Sequence, residues 1–142
     1  MKTTLQATAK SVRELELIAA NLARELRPGD AVGLSGGLGA GKTTFVRAVV
    51  RALHGSEAAT SPTFTFRHSY PGEPPIEHLD LYRLDVPADA VELGLEEAFL
   101  PESIVLVEWA ERLPALLPRG AIRVTIEGTG DAPRSIGISR RP

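Results

Sequence analysis

The stretch 34-LSGGLGAGKTTF-45 carries a glycine-rich pattern of the kind that holds phosphate groups. Gly36, Gly41, Lys42 and Thr43 satisfy G-x-x-x-x-G-K-[ST], in which backbone N–H groups curl around phosphate oxygens. The pattern predicts that Lys42 reaches the β- and γ-phosphates and that the Thr43 hydroxyl binds Mg²⁺. The predicted nucleotide contacts are Gly37, Leu38, Gly39, Ala40, Gly41, Lys42, Thr43 and Thr44.

The letters LSGG also open the signature of ABC transporters. Leu38 stands where that signature continues with Gln, and a chain of 142 residues has no room for a separate phosphate loop. An apolar run precedes the loop and a helical pattern follows it, which is the context that a phosphate loop requires. A glycine-rich turn with a chance lysine is the alternative that this context disfavours.

A nucleotide triphosphatase also needs a carboxylate near its magnesium ion, commonly at the end of an apolar strand. Glu108 closes the run 104-IVLV-107, whereas Asp80 lies in the more mixed run 78-HLDL-81. We therefore predict that Glu108 holds the metal, directly or through water, and that Asp80 orients or deprotonates the attacking water. The alternative for Asp80 is a surface-strand carboxylate or an ion-pair partner of Arg83.

Three further side chains are candidates for supporting roles. Thr63, in 61-SPTF-64, has the position of a switch threonine that senses magnesium and γ-phosphate, or else begins a strand. Arg83 could stabilise transition-state charge or form a structural ion pair. The histidines lack metal-ligand spacing, and for His78 hydrogen bonding is favoured over a second metal.

The elements that must position these residues follow from periodicity. Strands are predicted at 3–8, 31–35, 63–70, 76–82, 103–108, 121–127 and 135–139, and helical segments at 11–26, 43–53, 87–99 and 109–113. Ser11 with Glu14 predicts a capping box at the start of the first helix, and its apolar stripe is predicted to be Val12, Leu15, Ile18, Ala19, Leu22 and Leu26. Strands alternate with helices early and form hairpins later, so we predict an α/β fold. We predict a single P-loop NTPase domain over 1–142, with a mixed central sheet that has a parallel core and antiparallel edges and is flanked by helices.

Composition excludes several classes of function. The chain has no cysteine, so disulfide and thiolate chemistry are excluded. Its net charge is −2, with 16 Lys+Arg against 18 Asp+Glu, which is unlike a protein that grips nucleic acid unaided. No apolar run reaches the ~18 residues of a membrane span. We expect a cytoplasmic protein with no membrane contact, and we interpret the basic tail 134–142 as a solubilising chain end.

The base of the nucleotide is predicted by elimination. Asn21 is the only asparagine and precedes the loop, so the guanine-reading N-K-x-D motif cannot form. Gln6 is the only glutamine, so no downstream glutamine can position water as in regulatory GTPases. ATP is therefore favoured over GTP.

Four motifs together resemble the bacterial TsaE (YjeE) family, the small ATPases of tRNA threonylcarbamoyladenosine biosynthesis. They are GGLGAGKTTF (36–45), SPTF (61–64), HLDLYRL (78–84) and VEW (107–109), in the family's order and spacing. The resemblance implies a P-loop fold, ATP and Mg²⁺ as cofactors, and ATP hydrolysis coupled to the TsaB–TsaD heterodimer. That heterodimer transfers threonylcarbamoyl to adenosine of ANN-decoding tRNAs, so tRNA would be met only through the complex.

The resemblance also implies residue roles. Lys42 and Thr43 take the phosphate and magnesium roles, Glu108 matches the magnesium carboxylate, and Asp80 matches the aspartate of hydrolysis. Trp109 matches the aromatic residue after the glutamate, and we expect it to pack beneath the nucleotide site.

The family contacts nucleotide near the start of its first helix and in its last hairpin. Lys10, Ser11 and Arg134 are the nearest candidates for those contacts. Gly37 replaces a more usual polar residue, with little expected effect on the chemistry.

We expect slow hydrolysis by the isolated chain and faster turnover when a partner orders Thr63 and the Asp80 hairpin. A small-molecule kinase is one rival, but residues 84–103 contain no Arg or Lys for a basic lid. A nucleotide-gated binding module that does not hydrolyse ATP is a second rival. Direct tRNA binding is the weakest.

Overall fold

The structure, a computed structural model, describes residues 3–55, 66–86 and 88–140. Its strands are β1 (Thr3–Ala9), β2 (Ala31–Ser35), β3 (Arg67–Tyr70), β4 (Ile76–Asp80), β5 (Ile104–Glu108), β6 (Ile122–Glu127) and β7 (Arg134–Arg140). Its α-helices are α1 (Val12–Ala23), α2 (Lys42–His54) and α3 (Ala88–Glu92). Short 3₁₀ turns lie at Leu95–Ala98, Ala110–Arg112 and Pro114–Leu116.

The described strands form one sheet in the order β1-β7-β6-β2-β5-β4-β3. β6, β2, β5 and β4 run parallel to one another, whereas β7 and β1 at one edge and β3 at the other are antiparallel to their neighbours. The predicted α/β fold with a parallel core and antiparallel edges is confirmed.

The middle of the sheet is buried on both faces, as a parallel sheet requires. In β5, Ile104 and Leu106 pack with α1 and α2 on one face, while Val105 and Val107 pack on the other against segments between Leu81 and Ala121. The period of two along the strand produces this division. The long apolar run that made β5 recognisable is thus a consequence of its central position.

The first helix differs in detail from the predicted one. Ser11 caps α1, because its Oγ accepts the Glu14 N–H at 3.1 Å, and the Glu14 carboxylate accepts the Lys10 N–H at 2.7 Å. The Ser11–Glu14 bond is one half of the predicted capping box, while the Glu14 carboxylate binds the N–H of Lys10 in place of that of Ser11. Val12 was expected in the apolar stripe, but it is 63% exposed in the first turn, so that prediction is wrong. The helix ends at Ala23, three residues early.

The strands around the candidate aspartate are shorter than predicted. Within the described residues β3 begins at Arg67, and β4 ends at Asp80, two residues before the predicted end. Residues 63–65 of the predicted strand, Thr63 among them, lie outside the described residues. None of the helices in the described part is long and apolar enough to cross a bilayer.

Candidate nucleotide-binding site

Three neighbouring parallel strands bring the candidate residues to one edge of the sheet. Leu34 of β2 lies opposite Glu108 of β5, and Glu108 lies opposite Asp80 of β4. The glycine-rich loop follows β2 directly and leads into α2. Carboxyl ends of parallel strands are where α/β folds place their ligands. The topology therefore unites residues that are far apart in the chain.

The loop conformation requires glycine at its two ends. A Cβ on Gly36 would lie 2.2 Å from the Ile126 carbonyl oxygen, so no side chain fits between the loop and β6. Gly41 has φ 115° and is the N-cap of α2, with no side chain hydrogen-bonded to the helix start. The first N–H groups of α2 are therefore not consumed by a side-chain cap, which leaves the positive end of the helix for an anion.

Lys42 lies inside the loop and is 5% exposed. Its Nζ donates to the carbonyls of Gly36 at 2.6 Å and Gly37 at 2.8 Å. The same ammonium lies 3.8 Å from the centroid of the Trp109 ring, a cation–π distance. Burial lowers the pKa of Lys42, while nearby carboxylates, first of all Glu108, oppose that shift.

Glu108 is 2% exposed and is hydrogen-bonded through both carboxylate oxygens. The Thr43 hydroxyl donates to Oε1 at 2.8 Å, and His78 Nε2 lies 2.6 Å from Oε2. Burial alone would raise the pKa of Glu108. The contacts with His78 and Thr43 and the charge of Lys42 outweigh burial and lower that pKa, so the side chain is held as a carboxylate.

Asp80 is only partly buried, and its Oδ1 accepts the Tyr82 N–H at 3.0 Å. Burial raises the pKa of Asp80, and the negative charge of Glu108 adds to that rise. The Tyr82 N–H acts in the opposite direction without cancelling it. Asp80 is therefore more basic than an ordinary aspartate.

Two aromatic rings connect these strand ends. Trp109 has a left-handed backbone, φ 58°, directly after Glu108. Such a conformation is uncommon for a bulky residue and marks a local constraint. The Trp109 ring packs 4.8 Å from the Tyr82 ring while it also covers Lys42. That Trp109 packs beneath a bound nucleotide stays a prediction.

The donor set fits a magnesium–nucleotide complex. The Thr43 hydroxyl and Glu108 carboxylate supply oxygen atoms, which Mg²⁺ prefers, and Lys42 with the start of α2 supplies positive charge for phosphates. A cavity of about 240 Å³ opens here, lined by Leu38, Gly39, Gly41, Lys42, Thr43, Thr44, Glu108 and Trp109. The described residues contain no group of three or more His, Cys, Asp or Glu side chains that could hold a metal ion.

Lys10 and Ser11 lie at the start of α1, which packs against the loop. A Cβ on Gly41 would lie 2.8 Å from a methyl group of Leu15, one turn further along α1. Ser11 uses its hydroxyl to cap the helix, and both residues are exposed. The structure brings them to the neighbourhood of the loop without showing a role in binding.

Arg134 begins β7 and contacts the loop itself. Its guanidinium donates to the carbonyls of Ala40 at 2.9 Å and Gly39 at 3.3 Å. It also donates to the carbonyls of Gly130 at 3.1 Å and Ala132 in the turn before β7. Arg134 thus joins the candidate site through the protein backbone.

Arg83 is exposed in the turn after β4.

The described structure adds two contacts that sequence reasoning did not identify at the site. His78 was predicted to form a hydrogen bond, but Glu108 was not identified as its partner. Glu111 was missed: its Oε2 accepts the Gly36 N–H at 3.4 Å, and its charge opposes the lowering of the Lys42 pKa by burial. The position of Glu111, three residues after Glu108, was the sequence feature that could have identified it.

Comparison with known proteins gives one family. A family model described as "Threonylcarbamoyl adenosine biosynthesis protein TsaE" matches residues 9–136. A Bacillus subtilis protein named "tRNA threonylcarbamoyladenosine biosynthesis protein TsaE" is 38% identical over 124 residues, covering 87% of this chain and 77% of the relative. A Treponema pallidum protein of the same name is 30% identical over 135 residues, covering 95% of this chain and 100% of the relative.

A solved structure shows the same architecture. The crystal structure of Bacillus subtilis YdiB superposes with a TM-score of 0.80 at 33% sequence identity. The match covers 99% of this chain and 87% of YdiB. The P-loop NTPase fold is therefore shared over nearly the whole chain.

Proposed function

This chain belongs to the TsaE family, and we propose that it is an ATP-binding, slowly ATP-hydrolysing subunit of tRNA threonylcarbamoyladenosine biosynthesis. The observation that carries the proposal is the meeting of Lys42, the Thr43–Glu108 pair and Asp80 at one sheet edge. We infer the pathway from the names of the relatives and the activity from the chemistry of the site. A single domain over 1–142 and a cytoplasmic location are parts of the same proposal.

Nucleotide phosphates would bind the glycine-rich loop and the start of α2. Lys42 already has its ammonium in the loop, where it donates to the carbonyls of Gly36 and Gly37. Phosphate oxygens would take over these N–H donors, and the charge of Lys42 would neutralise the charge that develops in transfer. Thr43 and Glu108 would hold Mg²⁺, which would supply positive charge close to the phosphates.

Asp80 is the residue proposed to act on water. Its raised pKa makes it a stronger base than an ordinary aspartate carboxylate. Asp80 would accept a hydrogen bond from the water that attacks the γ-phosphorus and take up the proton as the bond to the β–γ bridging oxygen breaks. No glutamine follows the loop to orient that water, so hydrolysis by the isolated chain is slow.

The proposed partner is the TsaB–TsaD heterodimer, and tRNA is met only through that complex. Partner binding would act on Thr63 and on the hairpin of β3 and β4, which ends at Asp80. Turnover would then rise because the proposed base is held in one position. The ATP cycle resets or regulates the partner complex and does not supply the threonylcarbamoyl group.

The test is ATP turnover by the purified chain, alone and with TsaB–TsaD, for the natural sequence and for Asp80→Ala. We expect slow turnover that rises with the partners and falls in Asp80→Ala while ATP binding is retained. Turnover that does not change when TsaB–TsaD is added would contradict the proposed partnership. ATP binding without turnover in any mixture would favour a nucleotide-gated binding module instead.

A further inference from the structure

Arg134 connects two segments: the phosphate loop and the turn before β7. Its guanidinium donates to the Gly39 and Ala40 carbonyls of the loop and to the Gly130 and Ala132 carbonyls of that turn. The planar guanidinium has five N–H donors in a fixed fork, so one side chain can hold several acceptors in a fixed relation.

Holding a carbonyl also directs the neighbouring N–H group. In a planar trans peptide the C=O of one residue and the N–H of the next point in opposite directions. Arg134 holds the Ala40 carbonyl at 2.9 Å, which turns the Gly41 N–H away from the hairpin. It holds the Gly39 carbonyl at 3.3 Å, and the Ala40 N–H then donates to the Gly37 carbonyl at 3.2 Å inside the loop.

The turn is packed tightly around Arg134. A Cβ on Gly128 would lie 2.9 Å from Arg134 Cδ and 2.6 Å from the Pro133 carbonyl oxygen. On the loop side, the 2.2 Å approach of a Gly36 Cβ to the Ile126 carbonyl shows that loop and hairpin already touch. The arginine is therefore anchored at its own end, and the loop is the part that it restrains.

We propose that Arg134 is a positioning residue that fixes the phosphate loop in its binding conformation by tying the Gly39 and Ala40 carbonyls to the terminal hairpin. The role goes beyond the proposed function and differs from a direct contact with nucleotide. It makes the hairpin of β6 and β7 part of the site although no residue of β6 contributes to the catalytic chemistry.

Loss of the arginine should loosen the loop before any ligand is present. Hydrogen bonds from a charged donor are among the stronger ones, and a loop that loses them opens more often. We expect amide exchange of the loop in nucleotide-free protein to accelerate about tenfold. Affinity for Mg²⁺–ATP should fall by a similar factor of about ten, because a smaller fraction of molecules is competent to bind.

The experiment uses the full chain with Arg134→Ala, Arg134→Lys and the control Arg140→Lys. Arg140 lies at the other end of β7, where its guanidinium contacts Asp30 at 2.6 Å, so its replacement makes the same chemical change away from the loop. Exchange of loop peptides is followed by mass spectrometry without nucleotide, and affinity is measured by calorimetry with Mg²⁺–ATP. Guanidinium chloride at a non-denaturing concentration, against sodium chloride, tests chemical rescue of Arg134→Ala.

The expected result is faster exchange confined to the loop, with Arg134→Lys intermediate, Arg140→Lys unchanged and Arg134→Ala partly restored by guanidinium. Weaker ATP binding with unchanged loop exchange would overturn the proposal in favour of a direct nucleotide contact. Faster exchange over the whole chain would overturn it in favour of a general packing role. The hydrogen-exchange measurement contains no nucleotide, so its result tests the proposal even if the proposed ATPase function is wrong. The affinity measurement rests on that proposed function.

Discussion

Two carboxylates at the ends of neighbouring strands have opposite environments although they are register partners. Asp80 of β4 lies opposite Glu108 of β5. Glu108 is 2% exposed and contacts Thr43 and His78. Asp80 is partly exposed, with a backbone N–H bound to one oxygen. The pKa of Glu108 is lowered and that of Asp80 is raised.

The difference shows that burial does not by itself decide what a carboxylate can do. Burial acts to raise the pKa of both groups, and it is the largest influence on each. Donors and positive charge reverse its effect at Glu108 and leave it in place at Asp80. Pairs of titratable groups with pKa values pushed apart divide acid–base work between them. Here Glu108 suits a permanent metal ligand, and Asp80 suits a proton acceptor.

Neutralising Asp80 tests whether this residue is the proton acceptor, and it should have the largest effect on turnover. Asp80→Asn keeps the shape of the side chain but removes the proton acceptor, so ATP turnover should fall by about 10²–10⁴-fold. Affinity for Mg²⁺–ATP should be nearly unchanged, since Asp80 is not proposed to hold the metal. Steady-state turnover and calorimetry measure the two quantities on the same preparation. A loss of affinity as large as the loss of turnover would contradict the assignment.

The matched change on β5 should reverse this pattern. Glu108→Gln removes the negative charge that we propose holds Mg²⁺. The gain in ATP affinity when Mg²⁺ is added should therefore be about 10–100-fold smaller than in the natural protein. Binding of ATP in chelator should change little. Titration of ATP with and without Mg²⁺ separates the two, and Asp80→Asn serves as the control. An unchanged magnesium dependence in Glu108→Gln would show that the metal is held elsewhere.

His78 is the donor that makes Glu108 differ from Asp80, so its removal should weaken the contrast and the fold. His78→Leu would leave a buried carboxylate oxygen without its donor, which costs about 1–3 kcal/mol of unfolding free energy. His78→Gln can still present an N–H near the former Nε2 and should recover part of that loss. Urea denaturation of both variants measures the difference. Equal stability of the Leu and Gln variants would show that the 2.6 Å contact with Glu108 is energetically unimportant.

The sequence predicted the parts of the site that depend on local pattern. The loop motif identified Lys42 and Thr43, and the apolar run before Glu108 identified a central strand because both faces of β5 are buried. The sheet class followed from the order of strands and helices. The error at Val12 arose because periodicity identifies the apolar face of a helix but not which of its turns are covered by other residues.

Contacts between distant residues could not be predicted in the same way. The His78–Glu108 contact spans 30 positions, and the Arg134–Ala40 hydrogen bond spans 94. Both depend on which strands become neighbours, and a single chain carries no local pattern for that. The left-handed conformation of Trp109, which places its ring over Lys42, is likewise set by tertiary packing rather than by its own preference.

The raised pKa of Asp80 should be visible in the pH dependence of turnover. A proton acceptor works when ionised, so turnover falls about tenfold per pH unit once pH drops below the pKa of that group. Because burial raises the pKa of Asp80, turnover should begin to decline at a higher pH than it would with an ordinary aspartate as the proton acceptor. Glu108, with its lowered pKa, should remain ionised throughout.

The control for this limb is the residual turnover of Asp80→Asn. Titration of the nucleotide phosphates would produce an acid limb in both proteins, whereas the limb of Asp80 disappears with the substitution. We therefore expect kcat of Asp80→Asn to be flat on the acid side over the range where the natural protein declines. An identical limb in both proteins would show that Asp80 is not the group whose ionisation turnover requires, and that the two carboxylates are less different in function than in environment.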